Sequence, residues 1–392
     1  MASQWRGPTG SRSSLPMSCR MARSAFHLLL VLLVMIGHCW GSLEAAQVNP
    51  ALASSLRVSL DGAFAPFDVK GCPAAVLLSD GAMWLGVAGV SHGAAPVTPD
   101  MLFGVGSVTK NYVAPLVLQL AEEGVLTLDD TLSQWLPERP FIDPGVGIRQ
   151  LLNQRSGLCN VTDSEKLWDD VLEDPAANWT PQRVLDEYVE EPCMEPVTGW
   201  HYSNTGFLLV GMIIEQATGT TVAEELRRRF FEPLGLNRTF FCGTERFFEE
   251  TVLCHGWFDL DGDGIPDDVA SHRETICDVL WTSAAIYATA EDLARWVDVL
   301  LRGGILSAEA LEQMITPYSI VPGSGGVGYG LGVNLYGTEG IGHSGRTFGY
   351  LSLFLHLPQQ GATVVVLING DDARCLDTAA SALTMAVIDP AK

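Results

Sequence analysis

Lysine is scarce in this 392-residue chain: there are four, Lys70, Lys110, Lys166 and the terminal Lys392. Basic residues as a class are few, 23 Lys and Arg against 46 Asp and Glu, for a formal net charge of −23. A surface that acidic repels phosphate backbones and argues against nucleic acid as a partner. None of the nine cysteines shows C-x-x-C spacing, so a zinc site is not suggested. Internal repeats and low-complexity tracts are missing, which sets aside repeat arrays. The apolar run Ala25 to Gly37 is too short to span a bilayer comfortably.

That run follows Arg20 and Arg23 and precedes the small residues Gly41-Ser42 and Ala45-Ala46. It reads as a signal peptide, residues 1–46, so the expected location is secreted, periplasmic or extracellular. A membrane enters only if the segment stays as an uncleaved anchor. Cleavage would remove four arginines, Glu44, Cys19 and Cys39, leaving a net charge of −26 and seven cysteines. In an exported chain some of Cys159, Cys193, Cys242, Cys254 and Cys277 should pair, and an odd count leaves at least one thiol. Cys254–Cys277 is the leading pair, because it would close an acidic loop. Cys72–Cys375 is a second pair, where the first strand and last helix could meet.

One of the four lysines sits in the most hydrophobic helix of the chain. Phe103-Gly104-Val105-Gly106 is a glycine-rich turn, Ser107-Val108-Thr109-Lys110 opens an apolar run, and Glu122-Glu123-Gly124 ends it. Ser107 then stands at a helix N-terminus, where unpaired N–H groups favour a developing negative charge. Lys110 shares its helical face. A buried cation without a partner is costly, and an amine beside a serine hydroxyl can help take its proton. Pro115 inside this helix should kink it.

A second serine pattern, Gly89-Val90-Ser91-His92-Gly93, fits the G-x-S-x-G elbow. That elbow needs a helix after it, and Pro96 and Pro99 forbid one. It reads instead as a loop following a hairpin formed by Ala74–Ser79 and Met83–Gly89. Helical patterns with long loops occupy the middle, most clearly Thr180–Tyr188, Thr205–Gln216, Val222–Phe231 and the run capped by Thr289. Strands return at Gly328–Tyr336, Gly340–Ser344, Tyr350–Leu357 and Ala362–Ile368, before a final helix over Leu376–Ile388. The expected fold is α+β: an antiparallel sheet made from both chain ends, flanked by helices, with a mainly helical subdomain inserted. Its parts are residues 47–147 and 283–392 for the α/β portion and 148–282 for the helical one.

Tyr202-Ser203-Asn204 precedes the helix that starts at Thr205, and His343-Ser344-Gly345 lies on a late strand. Ser-x-x-Lys, Tyr-x-Asn and His-x-Gly in this order resemble the serine β-lactamase and penicillin-binding-protein superfamily. The likeness is to its class C β-lactamase-related branch, with D-aminopeptidases and carboxylesterases. It covers about Ala74 to Asp389, extending through Leu126-Thr127-Leu128-Asp129-Asp130, Glu232-Pro233-Leu234-Gly235-Leu236 and Tyr329-Gly330-Leu331-Gly332.

The resemblance implies a serine hydrolase of the β-lactamase/transpeptidase-like fold. Ser107 would attack a carbonyl and become acylated, with Lys110 and Tyr202 sharing the removal of its proton. Which of the two holds that proton stays open at this stage. Asn204 would bond Lys110 or the substrate amide, the backbone N–H groups of Ser107 and Arg346 would form the oxyanion hole, and Tyr202 would activate water for deacylation. His343, Ser344 and Gly345 replace the Lys-Thr-Gly usual in this family's β-lactamases and carboxypeptidases. A neutral imidazole grips a carboxylate less well than an ammonium, so an ester or uncharged amide is favoured, a short acyl ester or D-amino-acid peptide. The imidazole could bond such a carbonyl or orient Tyr202. The alternatives are a β-lactamase or D-Ala-D-Ala carboxypeptidase and, from another class, a catalytically silent binding or scaffold protein. The partner is a small-molecule or peptide substrate, and catalysis needs no cofactor. Separately, Asp259, Asp261, Asp263 and Asp267 have the spacing of a calcium loop, with Ala270 where the twelfth-position glutamate would stand.

Overall fold

The computed structural model describes residues 46–189, 193, 199–245 and 253–389. The expected signal peptide lies outside the described residues, except for Ala46.

Valine and isoleucine runs near both ends of the chain make the centre of one sheet. In spatial order its nine strands are Ala95–Pro96, Met83–His92, Gly71–Leu77, Ala362–Ile368, Tyr350–Leu357, Ile341–Thr347, Asn334–Leu335, Gly328–Tyr329 and Ser319–Ile320, all antiparallel. The first long strand meets the last one directly, with Ala74 opposite Val366. Every residue of Gly71–Leu77 and of Ala362–Ile368 is buried, which is why each reads as a continuous apolar run. Their side chains still alternate between faces. Ala74, Val76, Val364, Val366 and Ile368 face a layer made by helices Pro50–Phe64 and Ala373–Ile388. Ala75, Leu77, Val365 and Leu367 face the other layer, with helices Lys110–Glu122 and Ala290–Leu301. The helix Pro50–Phe64 was not among the expected elements. Asn49 caps it, accepting from the Leu52 N–H at 2.9 Å, and Pro50 supplies a preset first turn.

The central stretch carries helices Ile148–Leu152, Glu165–Glu173, Pro181–Tyr188, Asn204–Thr218, Val222–Leu226 and Arg273–Leu280. The helix expected over Val222–Phe231 changes to a π-turn at Arg227–Phe231. A small sheet of Phe103–Gly104, Ile286–Ala288 and Thr239–Phe241 ties this stretch to the approach to Ser107.

Other expectations are corrected. Gly328–Tyr336 is two short paired strands rather than one, because Gly332 (φ +70°) turns the chain against the backbone of Lys110. Ser91 lies on the strand Met83–His92, fully buried, and not in a loop; no helix follows it. Two disulfides form, Cys159–Cys193 and Cys242–Cys277, so the expected Cys254–Cys277 pair does not. Cys254 is held elsewhere, its N–H on the Leu102 carbonyl and its sulfur 3.3 Å from the Asn369 amide. Cys242, its N–H on the Ala285 carbonyl, instead reaches the helix of Cys277, Cα to Cα 5.6 Å. Cys72 and Cys375 are buried and unbonded, against the second expected pair.

Candidate active site

Two glycines let the chain around Ser107 sit flush on the strand Ile341–Thr347. Gly106 has φ +52°, and a Cβ there would lie 2.5 Å from the Arg346 nitrogen; a Cβ on Gly345 would lie 1.9 Å from the Val105 carbonyl oxygen. Ser352 Oγ donates to that same carbonyl at 2.7 Å. The contact brings the Arg346 backbone beside the turn that holds Ser107. The Arg346 guanidinium is engaged elsewhere, with Asp371.

Gly106–Thr109 forms a tight 3₁₀ turn and Lys110 opens the α-helix, so Ser107 and Lys110 share a face. Tyr202 OH lies 2.6 Å and Lys110 Nζ 3.3 Å from Ser107 Oγ. Lys110 is fully buried, and its nitrogen also lies 2.6 Å from Asn204 Oδ1 and 2.8 Å from the Ser283 carbonyl. Asn204 Nδ2 donates to Thr162 Oγ1 at 2.8 Å, and because that hydroxyl donates its own hydrogen to Asn160 Oδ1 at 3.0 Å, the amide oxygen is the end that faces the lysine.

Burial holds the Lys110 amine well below the ordinary lysine pKa. A neutral amine has two hydrogens and one lone pair. Asn204 Oδ1 and the Ser283 carbonyl can only accept, so they take the hydrogens and the lone pair faces Ser107 Oγ. Burial also pushes the Tyr202 phenol well above its usual value, and the Ser107 contact pulls it back by less. Tyr202 therefore stays protonated and donates to Ser107, while Ser107 can donate to Lys110.

His343 is 3% exposed. Its Nδ1 lies 2.5 Å from the Ser344 carbonyl, which can only accept, so Nδ1 carries the hydrogen. Its Nε2 then accepts from Tyr329 OH at 3.2 Å. Burial first, and second the charge that Lys110 carries once protonated in acid, push its pKa down to about 4, so the imidazole is neutral at neutral pH. Ser344 is exposed and Gly345 is buried against Val105. Ser107, Lys110, Tyr202 and Asn204 thus form one hydrogen-bonded cluster, and His343 lies within its field.

Sequence reasoning missed Gln154. It adopts φ +62°, uncommon for a residue with a side chain, and accepts at both flanks of Tyr202. The His201 N–H donates to its carbonyl at 2.9 Å and the Ser203 N–H to its Oε1 at 2.7 Å. The Ser283 carbonyl and Thr162 were missed too. They act through backbone or at second remove, and nothing in their letters marks them.

In the acidic loop the carboxylate oxygens of Asp259, Asp261 and Asp263 lie within 4.8 Å of one another. They also accept backbone N–H groups, such as Gly262 and Gly264 on Asp259 at 2.8 and 2.9 Å. Asp267 is not part of that group; it accepts from the Leu260 N–H at 3.2 Å.

A model of the Beta-lactamase family matches residues 68–385. The chain is 27% identical over 296 residues to Penicillin-binding protein 4* of Bacillus subtilis (strain 168), covering 71% of this chain and 62% of that protein. It is 30% identical over 298 residues to Penicillin-binding protein 4 of Amycolatopsis lactamdurans, covering 70% of this chain and 74% of that one. The solved structure of a D-stereospecific amidohydrolase from Streptomyces sp. is similar at a TM-score of 0.72 and 28% identity, over 87% of this chain and 99% of that chain. By the matched length, the motif order and the shared architecture, this chain belongs to the Beta-lactamase family, within the serine β-lactamase and penicillin-binding-protein superfamily.

Proposed function

We propose that this chain is an exported serine hydrolase that forms an acyl-enzyme on Ser107 with short acyl esters or uncharged amides such as those of D-amino acids. One observation carries the reading: Ser107 Oγ contacts both Lys110 Nζ and Tyr202 OH, and the lysine has acceptor-only partners at its two other contacts. Lys110 takes the serine proton as Oγ attacks the carbonyl carbon. Tyr202, protonated and adjacent, passes its proton towards the leaving group and is restored from Lys110. The backbone N–H groups of Ser107 and Arg346 receive the oxyanion. Water enters by the same relay in reverse and releases the acid.

The neutral, inward-turned His343 supports the preference for substrates without a carboxylate, since that position holds no cation and the strand's own cation, Arg346, is paired with Asp371. The D-stereospecific amidohydrolase among the similar structures supports amides of D-amino acids. The two disulfides support export.

The test is fluorophosphonate labelling with a hydrolysis panel of short esters, D-amino-acid amides and nitrocefin on the mature chain. Labelling at Ser107, its loss in Ser107→Ala and faster turnover of esters or amides than of nitrocefin are expected. Turnover that survives Ser107→Ala would refute the assignment of the nucleophile, and nitrocefin matching the best ester would refute the substrate class.

A further inference from the structure

Three aromatic rings from distant parts of the chain meet at the edge of the larger core, against which Trp168 also packs. Trp168 comes from the helix Glu165–Glu173, Phe258 from the strand Trp257–Phe258, and Phe348 from the turn after Ile341–Thr347. The Phe348 ring centroid lies 4.7 Å from that of Trp168 and 4.9 Å from that of Phe258, both tilted. All three are only half-buried. Trp168 and Phe348 rest on a small separate cluster of Ile276, Leu280 and Ala284. Large rings packed together yet open to water on one side are the usual mark of a surface that receives an apolar group.

Three short connections tie this patch to the catalytic cluster. On the strand, Ser344 and Arg346 are exposed between buried neighbours, and Phe348 stands in the turn two residues after Arg346. On the helical side, the Trp168 indole N–H donates to the Thr162 carbonyl at 2.8 Å, and Thr162 Oγ1 holds Asn204, the partner of Lys110. Beneath, Ala284 directly follows Ser283, whose carbonyl holds Lys110. The Trp168–Phe348 contact therefore joins the two walls between which Ser107 lies.

The geometry points to Trp168, Phe348 and Phe258 as the specificity surface of the site, selecting substrates whose acyl group is aromatic or bulky and apolar. This rests on the reading of Ser107 as the acylated nucleophile. The rings themselves offer no charge, so they discriminate by size and flatness. A phenyl group laid against them adds apolar contact that a methyl group cannot make.

Methyl phenylacetate and methyl acetate test this, because both release methanol and differ only in the acyl group. The wild type should favour the phenylacetate by about tenfold or more in kcat/KM. Phe348→Ala should erase about tenfold of that preference, mainly through KM, while methyl acetate turnover and the rate of fluorophosphonate labelling at Ser107 stay within about twofold. Phe258→Ala, on a two-residue strand, gives an independent check should Phe348→Ala fold poorly, and Phe348→Leu should give an intermediate loss. Equal loss on both esters, or none on either, would overturn the proposal while labelling at Ser107 left the nucleophile standing. Absence of labelling in the wild type would instead remove the nucleophile and this inference with it.

Discussion

Placing a carboxylate against Lys110 tests the assignment of the proton acceptor directly. In Asn204→Asp one carboxylate oxygen would stand near where Asn204 Oδ1 lies, 2.6 Å from Lys110 Nζ. At an effective dielectric of about 20, Coulomb's law gives roughly 6 kcal/mol for unit charges at that separation, a ceiling of about 4 pH units. The new carboxylate also loses hydration, and observed shifts beside an opposite charge run about 1–3 units. The sign is upward, because the charge stabilises protonated Lys110. The active form has a neutral amine, so the acid limb of kcat/KM against pH should move up by about 1–3 units. Rate on that limb should fall roughly tenfold per unit and return as pH rises. Asn204→Ala, which removes the acceptor without adding charge, should not move the limb upward. Initial rates on an uncharged ester from pH 5 to 10, corrected for spontaneous hydrolysis, provide the measurement. An acid limb that stays in place in Asn204→Asp, with a rate reduced equally at every pH, would show that Lys110 is not the group whose deprotonation gates the reaction.

His343, buried with its pKa at about 4 against about 6.5 when unfolded, binds its proton more weakly in the native state. Its neutral burial is fully compatible with stability above pH 6.5, and roughly 3 kcal/mol should be lost as pH falls from there to about 4; denaturant melts of His343→Gln should show a shallower acid dependence over that window. Non-reducing peptide mapping should find Cys159–Cys193 and Cys242–Cys277 with Cys72, Cys254 and Cys375 as thiols. Removing Cys242–Cys277, which closes a separation of 35 residues, should cost about 3–4 kcal/mol, and an unchanged melting temperature would count against the bond. In the Asp259–Asp267 loop, a melting temperature that rises with free calcium is expected; indifference to both calcium and chelator would leave the carboxylates as caps on their own backbone.

The strands Tyr350–Leu357 and Ala362–Ile368 were legible to the residue, because alternating or continuous apolar runs bounded by turns leave little freedom. Ser107, Lys110, Tyr202 and Asn204, which the fold brings into one hydrogen-bonded cluster, were legible as a set because the motifs are spelled in side-chain identities. Gln154 was not, since it works through a left-handed backbone and a carbonyl, which many residue types could offer. The Gly328–Tyr336 break escaped because its cause, the approach of the Lys110 helix to Gly332, is a contact between residues far apart in sequence. The cysteine pairing went astray for the same reason. Closure of the acidic loop favoured Cys254, while the pairing of Thr239–Phe241 with Ile286–Ala288 delivered Cys242. The helix Pro50–Phe64 has a readable cap in Asn49-Pro50, but it directly follows the run whose expected role is targeting rather than structure.

The pairing of Gly71–Leu77 with Ala362–Ile368 also bears on when this chain can work. A ribosome must make everything between Leu77 and Ala362 before the partner of the first long strand exists. Until then the turn that carries Ser107 has no Ile341–Thr347 strand to lie on, and the Arg346 backbone that adjoins it has not been made. Closing so long a loop is entropically slow, and sheets assembled from distant segments fold late. If Ser107 is the nucleophile, the nascent chain stays silent until Ile341–Thr347 has been made and has docked beside it.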